Sequence, residues 1–209
     1  MAEPRLPPLT RTEFQRQTDV SRETLERLDA YLQLLRRWQA KVNLVSATTL
    51  ADPWRRHFLD SAQLAPLLLE STQIVVDLGS GAGFPGLVLA ILGRAQIHLI
   101  ESDQRKVAFL REVARVTATP VTIHPTRIEA APPLRADVIC ARALAPLARL
   151  LDYAVPFIHA HSVCLFLKGQ QVEAELAEAR HRWHLTVDRV PSWSDASGTV
   201  LHLSELVPK

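Results

Sequence analysis

Four of the chain's seven glycines stand within eight residues: Gly79, Gly81, Gly83 and Gly86, in the run VVDLGSGAGFPGLVLAI. Glycine loses more backbone freedom on folding than any other residue, so a cluster marks a path that other residues cannot follow. The β-branched run Ile74-Val75-Val76 precedes it, and an apolar helical pattern from Leu87 to Leu92 follows it. Strand, glycine turn and helix is the arrangement that sets backbone N–H groups against a nucleotide-like ligand. Two carboxylates flank the turn. Asp77 closes the first strand, and Glu101 closes the next apolar run, HLIES.

The glycines fit two registers. Gly81-x-Gly83-x-x-Gly86 matches a dinucleotide fingerprint, and Asp77-x-Gly79-x-Gly81-x-Gly83 matches a loop that binds S-adenosylmethionine. A lone GxGxxG is weak evidence, so context decides. Asp77 beside the loop suits the methionine ammonium group and would repel a pyrophosphate. Glu101 is placed to accept both ribose hydroxyls of either nucleoside. A nicotinamide oxidoreductase would also want a proton relay, and no Tyr-x-x-x-Lys pair occurs among the two tyrosines, Tyr31 and Tyr153. The competing readings are a plain tight turn with a solvated Glu101, and a non-catalytic ribosome-binding module that keeps the fold.

These residues need a sheet to position them. From Gln73 onward short apolar runs alternate with helical stretches, as in a parallel sheet. Strands are expected at 73–78, 96–101, 120–124, 136–141, 162–167, 184–190 and 199–206, and helices near 85–93, 103–117, 146–158 and 170–182. The short link Pro191–Gly198 makes the last two strands an antiparallel hairpin. The expected class is α/β, a Rossmann-like class I methyltransferase fold with a seven-stranded, mostly parallel sheet. Ahead of it, residues 1–20 read as a flexible proline-containing arm and 21–70 as a helical subdomain, leaving 71–209 as the cofactor-binding domain. Ser21 caps a helix whose stripe is Leu25, Leu28, Leu32, Leu35, Trp38 and Val42. Asp52-Pro53 reads as the cap of a second helix reaching about Leu69, kinked near Pro66.

The totals narrow the class further. A 47% hydrophobic content suffices for a full core. No apolar run approaches the roughly 20 residues that cross a bilayer, and the start lacks the apolar core of a secretory signal. Cys140 and Cys164 read as reduced, buried thiols in a cytoplasmic protein. The 24 cations comprise twenty arginines and four lysines against 22 acids. That bias suits phosphate forks, and a GC-rich genome would produce it too. No HExxH or clustered histidine motif suggests a metal.

The segments NLVSATT (43–49), RHFLDS (56–61), DLGSGAGFPG (77–86), ESDQRKVAFL (101–110), CARALAPL (140–147) and LFLKG (165–169) resemble, in this order, the RsmG (GidB) family of small-subunit rRNA methyltransferases. The resemblance covers about residues 25–180. It implies a cytoplasmic bacterial enzyme, expected as a monomer, that uses S-adenosylmethionine to methylate N7 of a guanine in the decoding-region loop of 16S rRNA. It places Gly79, Phe84, Ile128, Glu129 and Arg142 on the cofactor, with Phe84 where relatives often carry leucine. Lys168-Gly169 matches the family's strand-end pair. No family signal covers the stretch after about 185.

That chemistry agrees with what the chain lacks. Guanine N7 carries a free lone pair, so transfer of a sulfonium methyl needs positioning and no general base. No NPPY or DPPY tetrapeptide follows the fourth strand, against methylation of an exocyclic amine. Cys140 ends that strand without a preceding proline, so a buried role is favoured over a nucleophilic one. Arg142 is assigned to guanine O6, a phosphate or the cofactor carboxylate, against the alternative of a surface arginine. His57, Asp60 and Ser61 share one helix face. They could contact RNA, join the helical subdomain to the sheet at the cleft, or include a plain Arg56–Asp60 pair; the second is favoured. Asn43 and Ser46 are turn residues or cleft contacts. RNA phosphates are assigned to Arg36, Arg37, Arg55, Arg56, Arg105, Lys106, Arg127 and Arg142, with Asn43, His57 and Lys168 as further substrate contacts.

Overall fold

The computed structural model describes residues 7–209. The expected arm over 1–20 is corrected where it can be seen: α1 (Arg11–Thr18) is a capped helix. Thr10 Oγ1 accepts from the Glu13 N–H at 3.2 Å, and Glu13 accepts from the Thr10 N–H at 2.8 Å. This reciprocal capping box satisfies two backbone donors that the helix start leaves open. Phe14 is fully buried, with its ring 5.1 Å from that of Trp54. Residues 1–6 of the expected arm lie outside the described residues.

Ser21 caps α2 (Arg22–Gln39), accepting from the Thr24 N–H at 3.1 Å. Leu25, Leu28, Leu32 and Leu35 are buried along it, and Tyr31 and Leu34 join them. A short α3 (Ala47–Leu50) follows. The second long helix is replaced by three short pieces: a π-helical segment, Trp54–Leu59, then α4 (Asp60–Ala62), and a 3₁₀ turn, Ala65–Leu67, that holds Pro66. Asp52 does not cap it. Its carboxylate accepts from the Leu9 N–H at 2.8 Å and pairs with Arg55 at 2.9 Å, fastening the segment before α1.

The sheet comprises β1 (Ile74–Leu78), β2 (Gln96–Ile100), β3 (Thr122–His124), β4 (Val138–Arg142), β5 (Val163–Lys168), β6 (Trp183–Pro191) and β7 (Thr199–Pro208). Their order is β3-β2-β1-β4-β5-β7-β6. The first five are parallel, and β7 runs antiparallel between β5 and β6. Helices α5 (Gly86–Ile91), α6 (Gln104–Val116), α7 (Leu147–Ala154) and α8 (Val172–Arg182) cover it. Side chains alternate across the pleat. Val75, Leu99, Cys140 and Leu165 share one core with α5, α6 and the N-terminal helices, while Val76, Ile100, Ala141 and Phe166 share the other with α7 and α8. The N-terminal helices therefore complete one face of the sheet.

The chain leaves β1 toward β2 and β3, then returns to place β4 on β1's other side. The turns after β1 and β4 part there, which opens a crevice at the carboxyl ends of the strands. If α1 is part of the core, Phe14→Ala should cost about 3–5 kcal/mol in urea unfolding. A loss under about 0.5 kcal/mol, the range of plain surface changes, would return residues 11–18 to the status of an appendage.

Candidate active site

A cleft of about 650 Å³ opens at this crevice, within the range of small-ligand sites. Its floor is the turn after β1. Gly79, Gly81 and Gly83 have φ of 62°, 58° and 92°, the left-handed region that side chains avoid. A Cβ at Gly79 would lie 2.6 Å from Leu144, and one at Gly83 would lie 2.7 Å from the Tyr31 hydroxyl.

Glu101 closes the turn from β2. One carboxylate oxygen accepts from the Gly81 N–H and the other from the Asp103 N–H, both at 2.8 Å. Each oxygen keeps a lone pair for a further donor, such as a ribose hydroxyl. Glu101 is buried but borders the cleft, as do Ile128 and the exposed Glu129 and Arg127 of the loop after β3. A nucleoside with a vicinal diol fits this set: a glycine turn open to the cleft, a positioned carboxylate and an apolar wall.

Asp77 departs from expectation. It is wholly buried under the turn and does not border the cleft. Its Oδ2 accepts from the Gly86 N–H at 3.1 Å, which ties β1 to the start of α5. Burial raises its pKa from 3.8 to about 7. The Cys140 thiol lies 3.8 Å from Asp77 Oδ1, and burial pushes it well above the usual thiol range. Both cysteines are free and buried, so Cys140 has no thiolate to offer as a nucleophile.

Arg142, at the end of β4, faces the N-terminal segment. Its Nη1 donates to the Arg56 carbonyl at 2.8 Å and pairs with Asp60 at 3.3 Å, and its Nη2 donates to His57 Nδ1 at 3.1 Å. An arginine has five N–H donors. Three are engaged here, which leaves two for a ligand. The guanidinium lies 5.1 Å from the Phe84 ring centre. Phe84 also stacks on Tyr31 at 5.1 Å and on His57 at 4.9 Å. Since Arg142 can only donate, His57 carries its proton on Nε2, and that atom is buried without a partner. Burial, then the Arg142 and Arg56 cations, lowers the His57 pKa from 6.5 to about 3. Ser61 donates to the His57 carbonyl at 2.7 Å. His57 and Asp60 join the N-terminal segment to the sheet through Arg142, whereas the Ser61 bond stays within its own segment.

The GidB family model, described as rRNA small subunit methyltransferase G, matches residues 24–201. The Rhodospirillum rubrum protein named ribosomal RNA small subunit methyltransferase G is 54% identical over 198 residues, 95% of this chain and 98% of that one. Its namesake in Paramagnetospirillum magneticum is 58% identical over 187 residues, 90% of this chain and 91% of that one. The chain belongs to this family. Solved structures agree on the fold. Pyrococcus horikoshii TYW2, in complex with MeSAdo, aligns with a TM-score of 0.57 at 16% identity, over 78% of this chain and 64% of that one. A TehB-like SAM-dependent methyltransferase from Corynebacterium glutamicum aligns at 0.56 and 13%, over 84% of this chain and 96% of that one.

Several of the cations and polar groups expected to serve this family's RNA substrate are otherwise engaged. Lys168 is nearly enclosed, pairs with Glu175 and donates to the Ala145 carbonyl at 2.9 Å, so it offers no surface charge. Arg56 pairs with Asp195 at 2.7 Å and Arg105 with Asp103 at 3.3 Å. Asn43 is exposed beside Gln39 and does not border the cleft, whereas Ser46 does. Two contributors escape sequence reasoning: Tyr31 and the β6–β7 turn. The Tyr31 hydroxyl donates to the Ala82 carbonyl within the glycine turn. At the other turn, Ser194 donates to Asp60, and Gln63 accepts from the Trp193 N–H at 2.8 Å.

Gly79→Val should abolish nucleoside binding in calorimetry while leaving far-ultraviolet dichroism intact; retained affinity would remove the turn from the site. The two buried titrating groups act in opposite senses. Between about 6.5 and 3 the unfolded chain binds more protons at His57, so that contribution to stability falls as pH drops. Between 3.8 and about 7 the folded chain binds more protons at Asp77, so that contribution falls as pH rises. His57→Gln should flatten the acid-side decline in unfolding free energy, and Asp77→Asn the decline toward neutrality. Unchanged slopes would show that these groups titrate normally.

Proposed function

We propose that the protein transfers a methyl group from S-adenosylmethionine to N7 of a guanine in 16S rRNA, acting as a monomer in the bacterial cytoplasm. The observation that carries this reading is Glu101: a buried carboxylate fixed to the glycine turn at the mouth of the switch-point cleft, in a chain of this family. When bound, S-adenosylmethionine supplies an electrophilic methyl on a sulfonium. The glycine turn and Glu101 would hold the aminoacyl and sugar parts, and Ile128 would border the base. Guanine N7 would attack the methyl carbon with its own lone pair as the carbon–sulfur bond breaks and neutral S-adenosylhomocysteine leaves, so the chain's task is alignment and exclusion of water. The free N–H groups of Arg142 suit guanine O6 or the cofactor carboxylate, which makes it a positioning group. His57, neutral and bonded to Arg142, adds no positive charge near a base that becomes cationic. Arg127 and Lys106 border the same cleft and carry no ion pair among the described residues. They are the cations best placed for RNA phosphates.

Calorimetry with S-adenosylhomocysteine and NADH separates this reading from an oxidoreductase, and mapping N7-methylguanine on small-subunit RNA identifies the product. Binding of S-adenosylhomocysteine and one methylated guanine are expected; binding of NADH alone would overturn the reading. Arg142→Ala should lower kcat/KM for transfer by about 100-fold. It should also cost about 1–3 kcal/mol of stability, since Asp60 loses its counter-ion.

A further inference from the structure

A second cleft, of about 470 Å³, lies beside the first and shares Arg56, Asp60, Arg142 and the Ala143-Leu144 turn with it. Its far wall is the end of β5 and the turn between β6 and β7. That turn is held firmly. Ser192 and Gly198 close it backbone to backbone at 3.1 Å. Three bonds then fix it to the N-terminal segment: Trp193 N–H to Gln63, Ser194 to Asp60, and Arg56 to Asp195. Yet the Trp193 side chain is left in solvent, at 45% exposure. Trp54 and Trp183 are buried and Trp38 half-buried, so Trp193 is the one exposed tryptophan among the described residues.

An isolated exposed apolar residue is ordinary. An indole on a backbone anchored by three polar groups, in a turn whose Ser192, Ser194 and Asp195 line a cleft beside the cofactor turn, is a different object. Its position is fixed before any partner arrives, so little ordering entropy opposes stacking. Every nucleobase presents a π face to such a ring. A guanine whose N7 is to be reached inside folded RNA must be unstacked, and loses its former neighbours when it is.

We propose that Trp193 is a stacking platform for a nucleobase of the RNA substrate that neighbours the guanine to be methylated, beside the second cleft. The proposal rests on the methyltransferase reading above and deepens it. In that reading the loop end of the first cleft holds the aminoacyl part. Arg142, Ala143 and Leu144 line both clefts, so RNA held at the second lies next to the cofactor cleft.

The test compares the full-length protein with Trp193→Ala and Trp193→Phe on small-subunit rRNA. Trp193→Ala should raise KM for RNA about tenfold or more, within the range of base–aromatic stacking. It should leave S-adenosylhomocysteine affinity and thermal melting unchanged, and Trp193→Phe should recover most of the loss. Adding RNA to the unaltered protein should quench its tryptophan emission, and the quenching should vanish in Trp193→Phe. An unchanged KM in Trp193→Ala, with methylation intact, would overturn the platform and spare the parent reading. An unaltered protein that neither binds S-adenosylhomocysteine nor methylates RNA would sink both.

Discussion

The site depends on a turn of backbone that cannot hold itself. Three residues between β1 and α5 adopt left-handed conformations, and within the turn the Gly83 and Phe84 N–H groups share the Ser80 carbonyl at 2.7 and 3.3 Å. The surroundings supply the other bonds. Glu101 takes the Gly81 N–H, Asp77 takes the Gly86 N–H, the Ile100 carbonyl takes the Ser80 N–H at 2.9 Å, and Tyr31 donates to Ala82. These partners come from β1, β2 and α2. Sheet, glycine turn and N-terminal helices are therefore coupled, and the shape of the ligand cradle is set by all three.

Arg142 provides the second coupling. It reaches from the sheet to the junction of the π-helical segment and α4, where it meets the Arg56 carbonyl, His57 and Asp60 at once. A π-helical turn is uncommon and tends to occur at functional sites. Here it sets a carbonyl, an imidazole and a carboxylate around one guanidinium. The neutral His57 lets Arg142 approach without repulsion; burial first, and the Arg142 cation second, hold its pKa low. The N-terminal segment is thus one side of the cleft's wall as well as part of the core.

The sheet is legible in the sequence because its strands are apolar, β-branched and separated by turn residues; each expected strand overlaps the observed one. The glycine turn is legible because clustered glycines after a strand serve few purposes besides a left-handed backbone path, and Glu101 because a carboxylate ending an apolar strand must meet donors or water. Other features are hidden. Asp77 has a suitable type and position, but a strand side chain faces one side or the other, and its pleat position sends it under α5. Lys168 sits at a strand end that suggests exposure, yet Glu175 of α8 covers it, and no local pattern reveals a partner seven residues on. The helix at 11–18 has a readable signal, since Thr10-x-x-Glu13 is a capping-box pattern, but the nearby prolines mask it as an extended arm. Trp193 carries no periodic signal, because its setting comes from residues some 130 positions away.

The distribution of charge bears on how RNA would be held. The composition is rich in arginine, but many guanidinium groups serve the fold. Arg27 donates to the Thr117 carbonyl at 2.8 Å, Arg55 and Arg56 pair with Asp52 and Asp195, and Arg142 joins the two walls of the cleft. Phosphate contacts scale affinity and its salt dependence with the number of cations released to the task. A net charge of +2, with few free cations at the cleft mouth, provides a weak electrostatic grip. On the proposed reading, selection of one guanine falls to groups that read an exposed base: the Trp193 ring, the free N–H groups of Arg142 and the walls of the cleft. Those contacts exist only after the base has left its stack, so recognition and access to N7 would be the same event.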